Sequence, residues 1–161
     1  MNLEFLIRLA RPEDAEQMHD VHVNAVRQLC TADYTIEQIE AWVGYLDPET
    51  RRQYILNGAE DEILFVADRN GIIVGFSCFD MNGEISAIYV HPHYTRRRVG
   101  QQLLKAVETK ALGYNYKKLE VSASITAIPF YQTQGYKLIE YSSHTLLSGV
   151  KIPCAVMEKY L

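Results

Sequence analysis

The sequence predicts an α/β domain whose sheet contains strands of mixed direction. Residues 12–56 carry helix signals, with apolar positions at helical spacing in the first segment. From residue 62 onward the chain changes to apolar, β-branched and aromatic runs separated by turn signals. A further helical pattern, at about residues 99–113, interrupts the strand-rich half. Since a strand that follows such a crossover can run parallel to an earlier one, a purely antiparallel sheet is not expected.

The first half of the chain reads as one strand followed by helices. Residues 5–10 (FLIRLA) form the strand, and Pro12 with the acidic pair Glu13 and Asp14 favours a helix start. Thr35 and Gln38 have the spacing of a capping box that opens a second helix, TIEQIEAWVGYL. A third, shorter helix is expected in PETRRQYIL. The buried face of the first helix is predicted to comprise Ala15, Met18, His22, Ala25, Val26 and Leu29.

The second half begins with an antiparallel meander. Asn70-Gly71, a strong hairpin signal, joins EILFVADR to IIVGFSCFD, and Asn82-Gly83 joins the latter to EISAIYV. The apolar spacing of Leu103, Leu104, Val107 and Ala111 then marks a helix that ends near Gly113. The remaining segments are a strand (KKLEVSAS), a short helix (IPFYQTQ) closed by Gly135, and two final strands (YKLIEYSS and IPCAVMEKYL).

Composition and charge limit the classes of function. A chain of 161 residues with 48% hydrophobic and 22% charged residues is expected to form one domain, 1–161. A formal net charge of -4 argues against a general nucleic-acid binder. Cys30, Cys78 and Cys154 form no CxxC pair, so neither a metal site nor a disulfide framework is expected. Without a signal-peptide pattern or an apolar run of about 20 residues, we expect a cytoplasmic protein that does not enter the membrane.

The stretch VHPHYTRRRVGQQLL places three consecutive arginines, Arg96, Arg97 and Arg98, between a predicted strand and a predicted helix. Backbone N–H groups at a helix start attract anions, and Gly100 lets a ligand approach the main chain closely. Arginine side chains add charge-assisted hydrogen bonds to phosphate. The segment therefore indicates a local phosphate site, with a solvated turn as the alternative.

A second motif lies downstream, in SITAIPFYQTQGYKL. Together, the two motifs resemble the GCN5-related N-acetyltransferase (GNAT) superfamily, and the terminal segments look most like a bacterial branch of uncharacterised acetyltransferases. The resemblance implies the GNAT fold: a mixed, mostly antiparallel sheet of about seven strands with helices on both faces, splayed between strands 4 and 5. Family members carry P-x-Y-x-x-x-G-x-G and N-x-x-A-x-x-F-Y-x-x-x-G-F/Y segments around acetyl-coenzyme A.

The family motifs imply a cofactor-binding surface in this chain. Three positions depart from the pattern: Thr95 stands at a usual Gln or Arg, Arg98 at a usual glycine, and Ser124 at a usual asparagine. The resemblance implies acetyl-coenzyme A as cosubstrate, with no metal. The implied contacts are Ile88, Tyr89, Val90, Thr95, Arg96, Arg97, Arg98, Val99, Gly100, Gln101, Ser124, Ala127, Phe130 and Tyr131.

Acyl transfer to an amine needs a base for the amine and an acid for the departing thiolate. In the family, the tyrosine of the F-Y pair protonates the thiolate, which implies Tyr131 as the general acid; a packed aromatic is the alternative. Some members keep a glutamate at the position of Glu84, so the base is Glu84 or a water. Asp80 is a rival candidate for the base. The alternative for Glu84 is a solvated acid after the Asn82-Gly83 turn, without a catalytic role.

The acceptor is implied only as a small-molecule or peptide amine. Tyr34, Trp42 and Tyr45 lie where the family builds its acceptor pocket, although core packing also explains them. His22 is expected to be a core residue with satisfied hydrogen bonds. A non-catalytic acyl-coenzyme A-binding regulatory module is the alternative function, and an RNA-binding role is disfavoured. Family members often dimerise, so a homodimer remains open.

Overall fold

The computed structural model describes residues 4–57 and 62–161. Its strands are β1 (Leu6–Leu9), β2 (Glu62–Arg69), β3 (Ile72–Asp80), β4 (Glu84–Val90), β5 (Lys118–Ser124), β6 (Lys137–Thr145) and β7 (Lys151–Tyr160). Its α-helices are α1 (Ala15–Leu29), α2 (Ile36–Gly44), α3 (Pro48–Asn57), α4 (Val99–Gly113) and α5 (Ile128–Thr133). Short 3₁₀ turns cover Pro12–Asp14, Pro92–Tyr94 and Ile125–Ala127.

The strands form one seven-stranded sheet in the order β1-β2-β3-β4-β5-β7-β6. All neighbouring strands are antiparallel except β4 and β5, which are parallel. These two strands pair only at Glu84 with Glu120 and at Ile85 with Val121. Beyond those pairs the strands separate, so the predicted mixed sheet and its splay between strands 4 and 5 are confirmed.

The helices cover both faces of the sheet, as predicted. On one face, Met18 and Val21 of α1 pack against Val66 and Phe76. On the other face, Leu103 of α4 belongs to a separate buried cluster that includes Val74 and Ala67. Because successive side chains of a strand point to opposite faces, the runs in β2 and β3 are apolar almost throughout and serve both layers.

Local signals in the sequence correspond closely to the structure. Asn70 and Gly71 both have positive φ angles, 52° and 93°, as a mirror-image hairpin turn requires. The capping box of α2 is present: the Thr35 hydroxyl accepts the Gln38 N–H at 3.1 Å, and Gln38 Oε1 accepts the Thr35 N–H at 3.0 Å. Within the described residues, no helix is long and apolar enough to cross a membrane.

Candidate functional site

The opening between β4 and β5 contains two adjoining cavities. The first, here called the loop cavity, measures about 200 Å³ and lies beside the start of α4. The second, here called the hairpin cavity, measures about 290 Å³ and lies beside the β6–β7 hairpin. Both are lined by Trp42, Tyr89 and Ser124, so the cavities meet at these three side chains. Two ligands that enter from different sides would therefore come into contact here.

The loop before α4 has the backbone shape of a glycine-containing anion loop. Arg96 and Arg98 have φ angles of 61° and 65°, in the left-handed region that favours glycine. Arg98 therefore adopts a conformation that glycine takes more readily, and it directly precedes Val99, the first residue of α4. No side chain of the described residues caps this helix, so the N–H groups of its first turn are available to an anion.

The side chains of the arginine triplet point in different directions. Arg97 forms an ion pair with Glu4 at 2.9 Å and lies over the ring of Tyr94, 5.4 Å from its centroid. Arg98 lines a separate groove of about 840 Å³ that follows α4 beside Ile7 of β1 and Phe65 of β2. The Thr95 hydroxyl donates a hydrogen bond to the Pro92 carbonyl at 3.1 Å. The loop therefore presents backbone donors at the helix start, while Arg97 is held by neighbouring side chains.

Gly100 is needed for the packing of α4 against α5. A Cβ atom at Gly100 would lie 3.1 Å from Cε1 of Phe130 and 3.7 Å from Cγ2 of Val90. Gly100, Val90, Phe130 and Ala127 all line the loop cavity. The glycine thus lets the Phe130 ring close one wall of the cavity against the first turn of the helix.

The opening between β4 and β5, here called the gap, exposes backbone groups of β4. The His91 N–H donates to the Val74 carbonyl at 2.8 Å, across the β3 side of the strand. Because hydrogen bonds alternate along an antiparallel strand, the N–H groups of Val90 and Ile88 point the other way, toward β5. In the register between β3 and β4, Ser86 has no partner and forms a bulge. The bulge directly follows Ile85, the last residue of β4 that pairs with β5. Tyr89 contributes its ring to both cavities.

Ser124 and Tyr34 hold the far wall of the gap. The Ser124 hydroxyl accepts the Ala127 N–H at 3.1 Å and so caps the 3₁₀ turn after β5. The Tyr34 hydroxyl accepts the Ile125 N–H at 2.9 Å and donates to the Pro153 carbonyl at 2.6 Å. Serine thus performs the capping that this turn needs, and Tyr34 connects the end of β5 to β7.

Tyr131 lies in the core beside the loop cavity. It is 3% exposed and packs against Phe130 and Tyr136, with ring centroids 5.1 and 5.5 Å away. A tyrosine phenol is protonated at neutral pH, and burial raises the pKa of this one further. Phe130 lines the loop cavity, whereas Tyr131 is not among the lining residues of either cavity.

Glu84 lies at the start of β4, close to the hairpin cavity. Burial, followed by the charge of Asp80, raises the pKa of its carboxyl group. The charge of His144 and a hydrogen bond with Ser122 act in the opposite direction, and both of those side chains line the hairpin cavity. Asp80 itself accepts the N–H groups of Asn82 at 2.9 Å and Glu84 at 3.0 Å. Asp80 therefore stabilises the turn, which leaves Glu84 as the better candidate base.

The hairpin cavity includes residues that the sequence did not single out. His144 comes from an exposed edge strand, and Ser86 is the bulge residue; neither carries a local signal. Trp42, Tyr34 and Tyr45 do line this cavity, and the indole N–H of Trp42 donates to the Tyr89 hydroxyl at 3.1 Å. His22 is fully buried as expected, but the described residues offer neither ring nitrogen a hydrogen-bond partner, so the expectation of satisfied bonding was wrong. Among the described residues, no cluster of His, Cys, Asp or Glu is placed to bind a metal.

Comparisons with known proteins agree with one another. Residues 30–152 match the model of the acetyltransferase (GNAT) domain. An uncharacterised N-acetyltransferase of Escherichia coli K12, YafP, is 31% identical over 134 residues, which are 83% of this chain and 82% of YafP. A GCN5-related N-acetyltransferase from Rhodopseudomonas palustris superposes with a TM-score of 0.91 at 30% identity, covering 100% of this chain and 98% of the other. The PaiA N-acetyltransferase of Thermoplasma acidophilum, solved with coenzyme A, gives 0.82 at 20% identity, covering 99% and 100%.

Proposed function

Because the chain belongs to the acetyltransferase (GNAT) family, we propose that it transfers the acetyl group of acetyl-coenzyme A to a primary amine. The observation that carries the proposal is the pair of cavities that meet at Trp42, Tyr89 and Ser124. One cavity extends to the uncapped N-terminus of α4 and the other opens between α2 and the last hairpin. This arrangement suits two substrates that react where the cavities join.

The loop cavity and the neighbouring start of α4 offer the chemistry that parts of coenzyme A need. The first N–H groups of α4 and the left-handed backbone at Arg96 and Arg98 offer donors to a pyrophosphate. The walls at Val90 and Phe130 are apolar and suit a thin aliphatic arm. The relative from T. acidophilum was solved with coenzyme A, which supports the same ligand here.

The N–H of Val90 is assigned to the thioester carbonyl. It points into the gap, and a fixed backbone donor stabilises negative charge on that oxygen without reorganisation. Acetyl-coenzyme A supplies the activated acyl group. Holding the carbonyl at β4 also places the acyl carbon beside the hairpin cavity, where the amine would enter.

Proton transfers are assigned to Glu84 and Tyr131. Glu84, acting directly or through a water, removes the proton from the incoming amine, and its raised pKa makes it a stronger base than an ordinary carboxylate. Tyr131, whose phenol is protonated at neutral pH, donates a proton to the departing sulfur. The neighbouring ring of Phe130 lies at the cavity wall, so the assignment requires the bound coenzyme to reach the phenol past that ring.

The Tyr131→Phe variant tests the assignment. We expect turnover to fall roughly 100-fold, as for loss of a general acid. The rise in melting temperature caused by acetyl-coenzyme A should remain. Tyr136→Phe is the matched control, because Tyr136 is equally buried and its hydroxyl has no partner among the described residues. Equal loss of binding and turnover in Tyr131→Phe would show a structural role.

One observation favours the alternative of a non-catalytic acyl-coenzyme A-binding module: Tyr131 lines neither cavity. The two functions differ in one measurement. Acetyl-coenzyme A would stabilise a binding module, but no amine would cause release of free thiol. The enzyme would be stabilised by acetyl-coenzyme A and would also release free thiol with its amine.

A further inference from the structure

Helix α3 packs against the sheet through an arginine, Arg51. Within α3, all of which the structure describes, Arg51 is the one buried residue, with 4% of its surface exposed. Its guanidinium lies over the ring of Phe76, 4.7 Å from the centroid. Its side chain forms a hydrogen bond with the Cys78 thiol, but its Nε atom has no partner among the described residues. No described carboxylate forms an ion pair with it. A buried cation with an unused donor is a costly feature that an anionic ligand would relieve.

Arg51 lines a third cavity, of about 610 Å³, here called the α3 cavity. The α3 cavity shares Tyr45, Ser86 and Tyr89 with the hairpin cavity. The two cavities therefore adjoin at these three side chains, and the guanidinium of Arg51 lines the cavity next to the meeting point at Tyr89. An acceptor whose amine lies at Tyr89 would extend its other end toward Arg51.

The other polar groups around Arg51 are consistent with a ligand that carries both charges. His22 packs on the Tyr89 ring at 4.7 Å, and burial together with the charge of Arg51 lowers its pKa to about 3, so it adds no second cation. Glu62 lines the same cavity and accepts a hydrogen bond from the Ser86 hydroxyl at 3.4 Å. Among the described residues that line this cavity, Arg51 is therefore the cation that can bind a negatively charged group of a ligand, and a polyamine lacks such a group.

We propose that Arg51 binds a carboxylate of the acceptor, so that the acceptor is a primary amine that also carries a carboxylate, such as an amino acid. The planar guanidinium presents paired donors that match a carboxylate. This inference rests on the proposed acetyl transfer, because it names the class of amine that the same site accepts.

Matched acceptors test the inference on the unaltered protein. Thiol release from acetyl-coenzyme A is measured with glycine against glycinamide, alanine against alaninamide, and lysine against cadaverine. We expect kcat/KM for the best amino acid to exceed that of its partner by roughly 30-fold or more, as for loss of a buried charge pair. The amide group of glycinamide or alaninamide lowers the basicity of the neighbouring amine, so more of that amine is neutral and reactive. This effect favours the amides and therefore acts against the expected preference for the amino acids.

Variants at Arg51 separate recognition from folding. Arg51→Met should raise KM for the preferred amino acid roughly 30-fold and leave KM for its amide unchanged, whereas Arg51→Lys should lose less because it keeps the charge. Arg52→Met is the matched control, since Arg52 is exposed and pairs with Glu49 at 3.7 Å. The thermal shift with acetyl-coenzyme A should be the same in all of these proteins.

The outcomes distinguish the two proposals. If the amides and cadaverine are acetylated as well as the amino acids, or if Arg51→Met raises KM equally for both, the carboxylate inference is overturned while acetyl transfer stands. If acetyl-coenzyme A stabilises the protein but neither member of any pair releases thiol, the inference is likewise overturned. If acetyl-coenzyme A causes no thermal shift, the proposed function itself fails, and this inference fails with it.

Discussion

Arg98 stands where the family resemblance implies a glycine, and its backbone lies in the left-handed region. Its φ angle of 65° is one that glycine adopts without the steric cost that a side chain brings. The sequence identified the departure at Arg98. Nothing in the sequence indicated that Arg97 pairs with Glu4, because that contact joins residues 93 positions apart.

Glycine substitutions in the triplet should affect stability in opposite directions. Arg98→Gly and Arg96→Gly remove the cost of a left-handed backbone, and each should raise the free energy of unfolding by up to about 1 kcal/mol. Arg97 is not among the residues with positive φ, and Arg97→Gly also loses the Glu4 contact, so it should lower stability. Urea unfolding of the three variants measures this; stabilisation by Arg97→Gly alone would contradict the account.

The raised pKa of Glu84 predicts a trade between stability and activity. A carboxyl whose pKa is higher in the folded protein binds its proton more tightly when folded, so the fold loses stability as the pH rises through that range. Glu84→Gln should therefore be more stable than the parent protein at pH 7, with a difference that shrinks toward pH 4, and it should lose acetyl transfer.

The control for this experiment is Glu140→Gln, at an exposed position of β6. Chemical denaturation at several pH values and thiol-release assays on both variants give the comparison. A Glu84→Gln protein that is less stable at pH 7 would contradict the raised pKa of Glu84, and one with full activity would remove Glu84 from the role of base.

At the level of elements, Tyr34 joins the parts that surround the gap. Its hydroxyl bonds both the Ile125 N–H and the Pro153 carbonyl, so Tyr34→Phe leaves a partly buried donor and acceptor unpaired. We expect a loss of about 1–3 kcal/mol in the free energy of unfolding and a weaker thermal shift with acetyl-coenzyme A. Tyr141→Phe, at a residue that is 67% exposed, should change neither quantity. Unchanged stability in Tyr34→Phe would show that these bonds do not hold the gap.

The contact between α4 and α5 gives a second prediction at this scale. Gly100→Ala places a methyl group 3.1 Å from the Phe130 ring, which should cost about 1–3 kcal/mol as an overpacked site. Phe130→Leu in the same chain should recover part of that loss, because the smaller side chain leaves room. A double-mutant cycle measures the coupling; additive effects would mean that Phe130 is not what Gly100 accommodates.

Elements whose signals are local were predictable, and those set by distant contacts were not. The Asn70-Gly71 turn and the Thr35–Gln38 box depend on residues that are close in sequence, and both are present. The bulge at Ser86 depends on the register between β3 and β4 and has no marker in the sequence. The direction of the Val90 N–H, toward the gap, follows from the alternation of hydrogen bonds along β4 and therefore depends on the same register.

At the scale of the whole molecule, the sequence predicted the fold class, and the family resemblance supplied the splay between β4 and β5. The cavities are assembled from segments far apart in the chain: Tyr34 and Trp42 from the first third, Ser86 and Tyr89 from β4, and His144 from the last hairpin. Residue patterns within one element cannot predict such an assembly. For the same reason, no pattern near Arg51 in the sequence indicates that its side chain lines a cavity adjoining the site.

The most direct test of the account is transfer of a radiolabelled acetyl group from acetyl-coenzyme A to an amine by the purified protein. The account predicts a labelled, acetylated amine and one free thiol for each acetyl group transferred, with glycine, alanine or lysine among the acceptors. Stabilisation by acetyl-coenzyme A without labelled product from any amine would contradict it and would identify the protein as a binding module.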